Sequence, residues 1–443
     1  MGKRIFALFL LLSCFLSGCS LNFKDPEDLI KPPKPGGDLA GVQEALQAKV
    51  GKNIILKNPK NGEYRSAFIQ YDIDNDGSRE TIVFYKQNSD MAKLHMNILD
   101  KVKDQWVSVA DFDDLGSDIN ELIFQDLNGS GVSEMIVKCD ALENKQYNVL
   151  VYTWSQDGPQ PLLNESYTEM ALLDMDADSF SELLLLNLDI NRGVSKARML
   201  KLGSDGVMDI GSEVLLSPDV TGYVSIKMDK TTRVYIDSYC GPNTMITEIL
   251  QWQNHRLSAL LINGDINNTQ QTKRDIIITS QDIDGDGIIE IPKNIQMVGQ
   301  NYTDKDALWL TAWNKYTPDN IVVNANNELT SQQFTTVMTG AINFADSYMF
   351  VYPEDWVNDV TVVPDTEQRL WTFYRWDAKN KTQGAKLLGI LTTTKTQWEK
   401  QPVDGYTRLK EKGTTVYAIR MFDEPSERAL TFEQMEENFI IIN

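Results

Sequence analysis

Between residues 60 and 325 short apolar runs alternate with acidic, glycine-containing turns. Thr81-Ile82-Val83-Phe84-Tyr85, Met135-Ile136-Val137 and Leu183-Leu184-Leu185-Leu186 are too short for helices, and their bounding turn residues predict strands. A second apolar run downstream of each reads as a hairpin. These runs cover 97–107, 149–154 with a turn at Asp157-Gly158, 199–202 with a turn at Asp205-Gly206, 249–252 turning near Asn254, and 309–313 turning near Pro318. Ahead of them, Val42, Leu46 and Val50 share one face of a helix predicted over 39–50. The pattern stops near 325. Strands are predicted at 360–363, 370–376, 387–392 and 416–421, and Thr431 with Gln434 forms a capping box opening a last helix over 432–439. The expected organisation is a repeat domain over 39–325 and a separate α+β domain over 331–443.

Each predicted strand is entered through a nine-residue polar loop. The first carries Asp72, Asp74, Asp76 and Glu80 at positions 1, 3, 5 and 9; the best preserved carries Asp282, Asp284, Asp286 and Glu290. Asp174, Asp176, Asp178 and Glu182 form a third set, and Asp126, Asn128, Ser130 and Glu134 a weaker one. Hard oxygen ligands at alternate positions suit Ca²⁺, whereas Mg²⁺ demands a tighter octahedron. An EF-hand would need a bidentate Glu at position 12, but Val83, Val137, Leu185 and Lys293 stand there. The starts at Asp72, Asp126, Asp174 and Asp282 lie 54, 48 and 108 residues apart, so a further repeat without ligands is expected near Met228-Asp229. Periods near 50 residues built from about four strands are those of propeller blades.

The loop-then-strand pattern resembles the FG-GAP or VCBS-type repeats of integrin-like β-propellers. That resemblance implies a mainly β fold, a β-propeller followed by the small α+β domain. It also implies a structural calcium ion in each loop, bound by the acidic side chains and the position-7 carbonyls of Ser78, Val132, Phe180 and Ile288. The loops at Asp72 and Asp282 are expected to bind best. Asn128 and Ser130 leave the second loop with fewer charges, and Ser179 stands in the third where glycine should. In the C-terminal part, Tyr352-Pro353-Glu354-Asp355-Trp356 resembles the strand entry of PsbP or Mog1-type domains; a Pro turn with Trp356 in the core explains it equally.

At the other end, Lys3-Arg4 precedes an apolar run over 5–16 and then Leu16-Ser17-Gly18-Cys19. The run is too short to span a bilayer. The four residues resemble a bacterial lipobox, which implies a signal peptide over 1–18 and a lipidated Cys19 as the membrane anchor. The Pro-rich stretch over 19–38 reads as a tether. Location at the outer face of the cytoplasmic membrane of a Gram-positive-like bacterium follows. A net charge of −21 argues against nucleic acid as partner. Cys139 and Cys240 are expected as two buried thiols rather than a disulfide framework. His95 and His255 lie in no recognisable catalytic constellation, and zinc, phosphate-loop and nucleophile-elbow motifs are absent. The expected function is therefore non-enzymatic binding or adhesion to an envelope protein or glycan. A glycan-active enzyme and an accessory or sensory subunit of an envelope complex are the alternatives.

Overall fold

The computed structural model describes residues 38–442 apart from 143–145, 156–157, 210, 264–265, 319–320, 324–328, 332 and 423–429. Cys19 and the tether before Asp38 lie outside the described residues. The described residues are mainly β, with six large antiparallel sheets among them in chain order. The first pairs Ile54–Lys57, Glu80–Gln87, Asp90–Val102 and Gln105–Phe112, with Ile69–Tyr71 beside Glu80–Gln87. The second holds Asp118–Gln125, Glu134–Asp140, Tyr147–Ser155 and Gly158–Tyr167, and the third is built on Glu169–Leu173, Glu182–Asp189 and Val194–Leu202. The fourth, Gly222–Met228 to Arg256–Ala259, is the expected repeat near residue 228.

Strands that follow a loop are apolar on both faces because both faces are covered. Ile82 and Phe84 face the second sheet, while Val83 turns to Val42 and Leu46 of the helix Asp38–Val50. The same division continues along the chain. Met135 and Val137 meet the first sheet and Ile136 the third; Leu183 and Leu185 meet the second and Leu184 and Leu186 the fourth. The fourth sheet gives Val234 and Ile236 to the third, and Tyr235 to a core with Ile289 and Ile291 of the fifth. Alternate side chains of one strand thus enter two different cores. Among the described residues, five core clusters join neighbouring sheets, one joins the first sheet to the helix, one lies on the fifth sheet, and none joins the first sheet to the sixth.

The fifth sheet departs from expectation. Its order is Glu290–Gln296, Trp309–Tyr316, Phe334–Asn343, Tyr348–Val351 and Phe439–Ile441, so it crosses the interval 325–331 expected as a domain boundary. The hairpin expected to turn near Pro318 closes instead between Thr317 and Gln333, 2.8 Å apart, around a small excursion pairing Ile321–Val323 with Leu329–Ser331. Pairing energy here favours the longer route because Leu310 and Ala341 share the core with the sixth sheet. That sixth sheet, Val360–Asp365 to Thr407–Lys412, packs on the fifth through Trp356, Tyr348, Phe350 and Phe373. Trp356 is core, at the end of a Pro turn. The capping box at Thr431 and Gln434 forms, but its helix is Phe432–Glu437, since Phe439 joins a strand and buries there.

Cys139 and Cys240 are both free thiols. Cys139 is buried as expected, but Cys240 is only half-buried. His95 is buried against Tyr85, its Nδ1 2.7 Å from Asp113, and His255 sits in a tight turn with a φ of 58°. Among the described residues, no helix is long and apolar enough to cross a membrane.

Candidate metal centre

All four acidic loops fold the same way, for a reason visible in their spacing. The position-9 glutamate reaches back to the loop's second residue: Ile73 N–H donates to Glu80 at 2.7 Å, Leu127 to Glu134 at 2.9 Å, Met175 to Glu182 at 2.8 Å and Ile283 to Glu290 at 3.0 Å. The position-1 aspartate takes the position-6 N–H, from Gly77 at 3.1 Å, Gly131 at 2.9 Å, Ser179 at 3.0 Å and Gly287 at 2.8 Å. Position 6 must be left-handed for this, and its φ is 90° at Gly77, 82° at Gly131, 77° at Ser179 and 82° at Gly287. Position 4 is left-handed too, at Asn75, Gly129, Ala177 and Gly285. The third loop therefore carries two non-glycine residues in a conformation that costs each about 1–2 kcal/mol.

Positions 1, 3 and 9 converge in three loops. Asp72, Asp74 and Glu80 offer oxygens within 4.8 Å of one another, as do Asp174, Asp176 and Glu182, and Asp282, Asp284 and Glu290. Position 5 serves the backbone: Asp76 accepts from Ser78 N–H at 2.7 Å, Asp178 from Phe180 at 2.9 Å and Asp286 from Ile288 at 2.8 Å. The second loop is closed on itself. There the Ser130 hydroxyl donates to the Val132 carbonyl at 3.3 Å, and Thr153 donates to Glu134 at 3.1 Å. The loops are also neighbours. Tyr71 and Ser133 hydroxyls lie 3.0 Å apart, Gln125 donates to Ser181 at 2.7 Å, and Lys230 N–H donates to the Gly287 carbonyl at 2.9 Å. The repeat at Asp229 keeps only that aspartate, which accepts from Thr231 and from the Tyr235 hydroxyl.

No protein-family model matches this chain, and no curated protein does. What each loop can hold must come from its own surroundings.

Those surroundings differ one strand away. The hairpin register sets one residue beside each position-9 glutamate. Thr81 opposite Leu99 brings Asp100 beside Glu80, and Met135 opposite Tyr152 brings Thr153 beside Glu134. Leu183 opposite Leu200 brings Lys201 beside Glu182, and Glu290 pairs directly with Lys315. Lys201 reaches three of its loop's four acids, touching Asp176, Asp178 at 2.5 Å and Glu182 at 3.1 Å. Lys315 touches Asp286 and lies 3.7 Å from Asp284 and 3.5 Å from Glu290. Sequence reading missed both lysines.

The electrostatics follow. Burial pushes the Glu80 carboxyl up to about 7, and the charges of Asp74 and Asp100 push the same way. Burial also raises Asp74, with Asp76, Asp100 and Asp72 adding to it. In the third loop burial pushes Asp178 up, but the Lys201 ammonium and the Phe180 N–H outweigh it and hold the carboxyl below its usual range. The hydrogen bond from Lys315 does the same for Asp286. Glu80 is fully buried, and its Oε1 accepts no hydrogen bond; neither does Asp72 Oδ1. The first loop thus has three converging acids, two orphaned oxygens among them, and Asp100 alongside. Its donor set fits a calcium ion, whose ligands are carboxylate and carbonyl oxygens at about 2.3–2.6 Å.

The loops at Asp174 and Asp282 already hold a positive charge. Two unit charges about 4 Å apart interact by about 4 kcal/mol at an effective dielectric near 20, and a divalent ion doubles that. A calcium ion and the lysine ammonium cannot share one set of carboxylates.

Proposed function

We propose that the chain is a lipid-anchored envelope protein whose sheets form a calcium-supported, non-enzymatic binding scaffold. In this reading the repeats are blades of the FG-GAP/VCBS kind. They stack in a row, with the helix Asp38–Val50 over the outer face of the first and the sixth sheet over the fifth. Lipidation at Cys19 and the Pro-rich tether would hold the scaffold at the outer face of the cytoplasmic membrane, to meet an envelope protein or glycan. One observation carries the reading. The acids of every loop bind their own loop's backbone in one repeated pattern, so they stiffen strand entries rather than face a substrate. Chelating calcium should lower the melting temperature by roughly a few degrees, as expected for losing a ligand that binds only the folded state. An unchanged melt would remove the calcium from this reading. Retention of the acyl-free protein on isolated wall material, without turnover, tests the binding half.

A second reading has its own observation. A cavity of about 470 Å³ lies between the third and fourth sheets, lined by Asp176, Lys201, Asp209, Trp252 and His255. An aromatic face beside carboxylates is what a glycan site uses. An enzyme there would turn over a glycan and lose that turnover in Asp209→Asn; retention without turnover favours the scaffold.

A further inference from the structure

The loops at Asp72, Asp174 and Asp282 share a fold and a triad of converging acids, yet differ in what stands across the hairpin. Lysine occupies that place in two of them and aspartate in the first. We infer that Lys201 and Lys315 are built-in cations that take the place of calcium at Asp174 and Asp282, and that the loop at Asp72, completed by Asp100, is the calcium site. This rests on the calcium reading above and divides it among the loops.

Three observations support the division independently of the loop motif. Glu80 and Glu290 are both fully buried and the Oε1 of each accepts no hydrogen bond, but Lys315 Nζ lies 3.5 Å from the Glu290 oxygen, whereas among the described residues no ammonium reaches that of Glu80. Buried carboxylates in that state call for a cation or a proton. In the third loop the same need is met inside the chain, because Lys201 bridges Asp176, Asp178 and Glu182. In the loop at Asp282, Lys315 spans Asp284, Asp286 and Glu290, and Lys230 adds a second ammonium donating to the Asp286 carbonyl. Asp72 and Asp74 are half-buried, as Asp174 and Asp176 are, while Asp282 and Asp284 are exposed, so of the two equally shielded triads only the first lacks a lysine. The second loop offers no rival, since Thr153 occupies Glu134 and Ser130 occupies the Val132 carbonyl.

An internal ammonium is present at any calcium concentration, whereas extracellular modules of this ligand type hold calcium at on the order of 10⁻⁴–10⁻³ M. The division therefore makes two repeats independent of calcium and leaves one, at the end of the array beneath the helix Asp38–Val50, responsive to it.

Equilibrium dialysis of the full chain against radiolabelled Ca²⁺ tests this. The wild type should take up a single ion. Asp100→Lys should weaken that uptake by more than about tenfold, the equivalent of about 1.4 kcal/mol. Asp100→Asn, which keeps the side chain's shape, should weaken it less and serves if the lysine variant does not fold. Lys201→Met and Lys315→Met should each add an ion. Uptake of three ions by the wild type, or no gain in either lysine variant, overturns the division while leaving the calcium reading intact. No uptake at all by the folded wild type overturns both.

Discussion

The loops at Asp72 and Asp282 read almost alike, Asp-Ile-Asp-Asn-Asp-Gly-Ser-Arg-Glu against Asp-Ile-Asp-Gly-Asp-Gly-Ile-Ile-Glu. Their internal hydrogen bonds are the same, down to Asp72 and Asp282 accepting the position-6 N–H. Their electrostatics differ in degree and in partner. Burial raises both position-9 carboxyls, but Asp74 and Asp100 push Glu80 further, up to about 7, while Lys315 offsets part of the rise at Glu290 and holds the neighbouring Asp286 below its usual range. A nine-residue motif thus fixes the shape of a cage, and the facing strand fixes its charge. What a loop binds is decided by hairpin register, which the motif does not contain.

A buried glutamate with no cation of either kind gives the baseline for that comparison. Glu248 in the fourth sheet is 1% exposed, accepts from Ser217 N–H at 2.6 Å and has its second oxygen unpartnered. Burial pushes its carboxyl up to about 8. The folded state then keeps a proton that the unfolded state releases above its ordinary carboxyl range, so stability is full at low pH and falls as pH rises towards 8. Glu248 should contribute roughly 4 kcal/mol of that fall between about pH 4.5 and 8, and Glu248→Gln should remove its share, leaving the part due to Glu80. Urea unfolding across that range measures it. A flat profile in the wild type would mean that buried carboxyls in these sheets need no cation, which breaks the contrast between the loops.

Removing the internal cations should matter next. In calcium-free buffer Lys201→Met leaves Asp176, Asp178 and the buried Glu182 without a cation, a loss of about 3 kcal/mol on the scale of broken buried pairs. Lys315→Met should lose only about 1 kcal/mol, because Asp284 and Asp286 are exposed and screened. Added calcium should restore both. If both variants unfold like the wild type, the lysines are surface ion pairs and the two kinds of loop are not distinct.

The loops, their strands and the period were legible because each is local. Asp-x-Asp with glycine at position 6 dictates backbone turns within nine residues, and the apolar runs after Glu80, Glu134 and Glu182 are strands as expected. The partners were not legible, because Lys201 and Lys315 meet Glu182 and Glu290 only through hairpins of unequal length. The same cause hid the fifth sheet's extent: Trp309–Tyr316 skips its nearest downstream neighbour to pair with Phe334–Asn343, across the expected domain boundary. A signal at position 4 was present but unused, since Asn75, Gly129 and Gly285 are residues that tolerate a left-handed backbone and Ala177 is the exception.

That exception supports the smallest and sharpest test. The third loop holds Ala177 and Ser179 at φ of 61° and 77°, strain that the first loop avoids at position 6 with Gly77. A cage closed by Lys201 can bear such strain without a metal, while a cage that waits for calcium cannot. Ser179→Gly should therefore stabilise the protein, but only by roughly 0.5–1 kcal/mol, because relief of about 1–2 kcal/mol is offset by the freer unfolded chain. The reverse change, Gly77→Ser, meets no atom within 4 Å of the added Cβ, so its effect is backbone strain alone. It should destabilise by roughly the same amount in calcium-free buffer. Calcium affinity at the first loop should fall with it, because the Gly77 N–H holds Asp72 in place. Ser179→Gly should leave calcium uptake unchanged. If both substitutions shift calcium uptake equally, the third loop is a calcium site like the first, and the facing lysine does not set them apart.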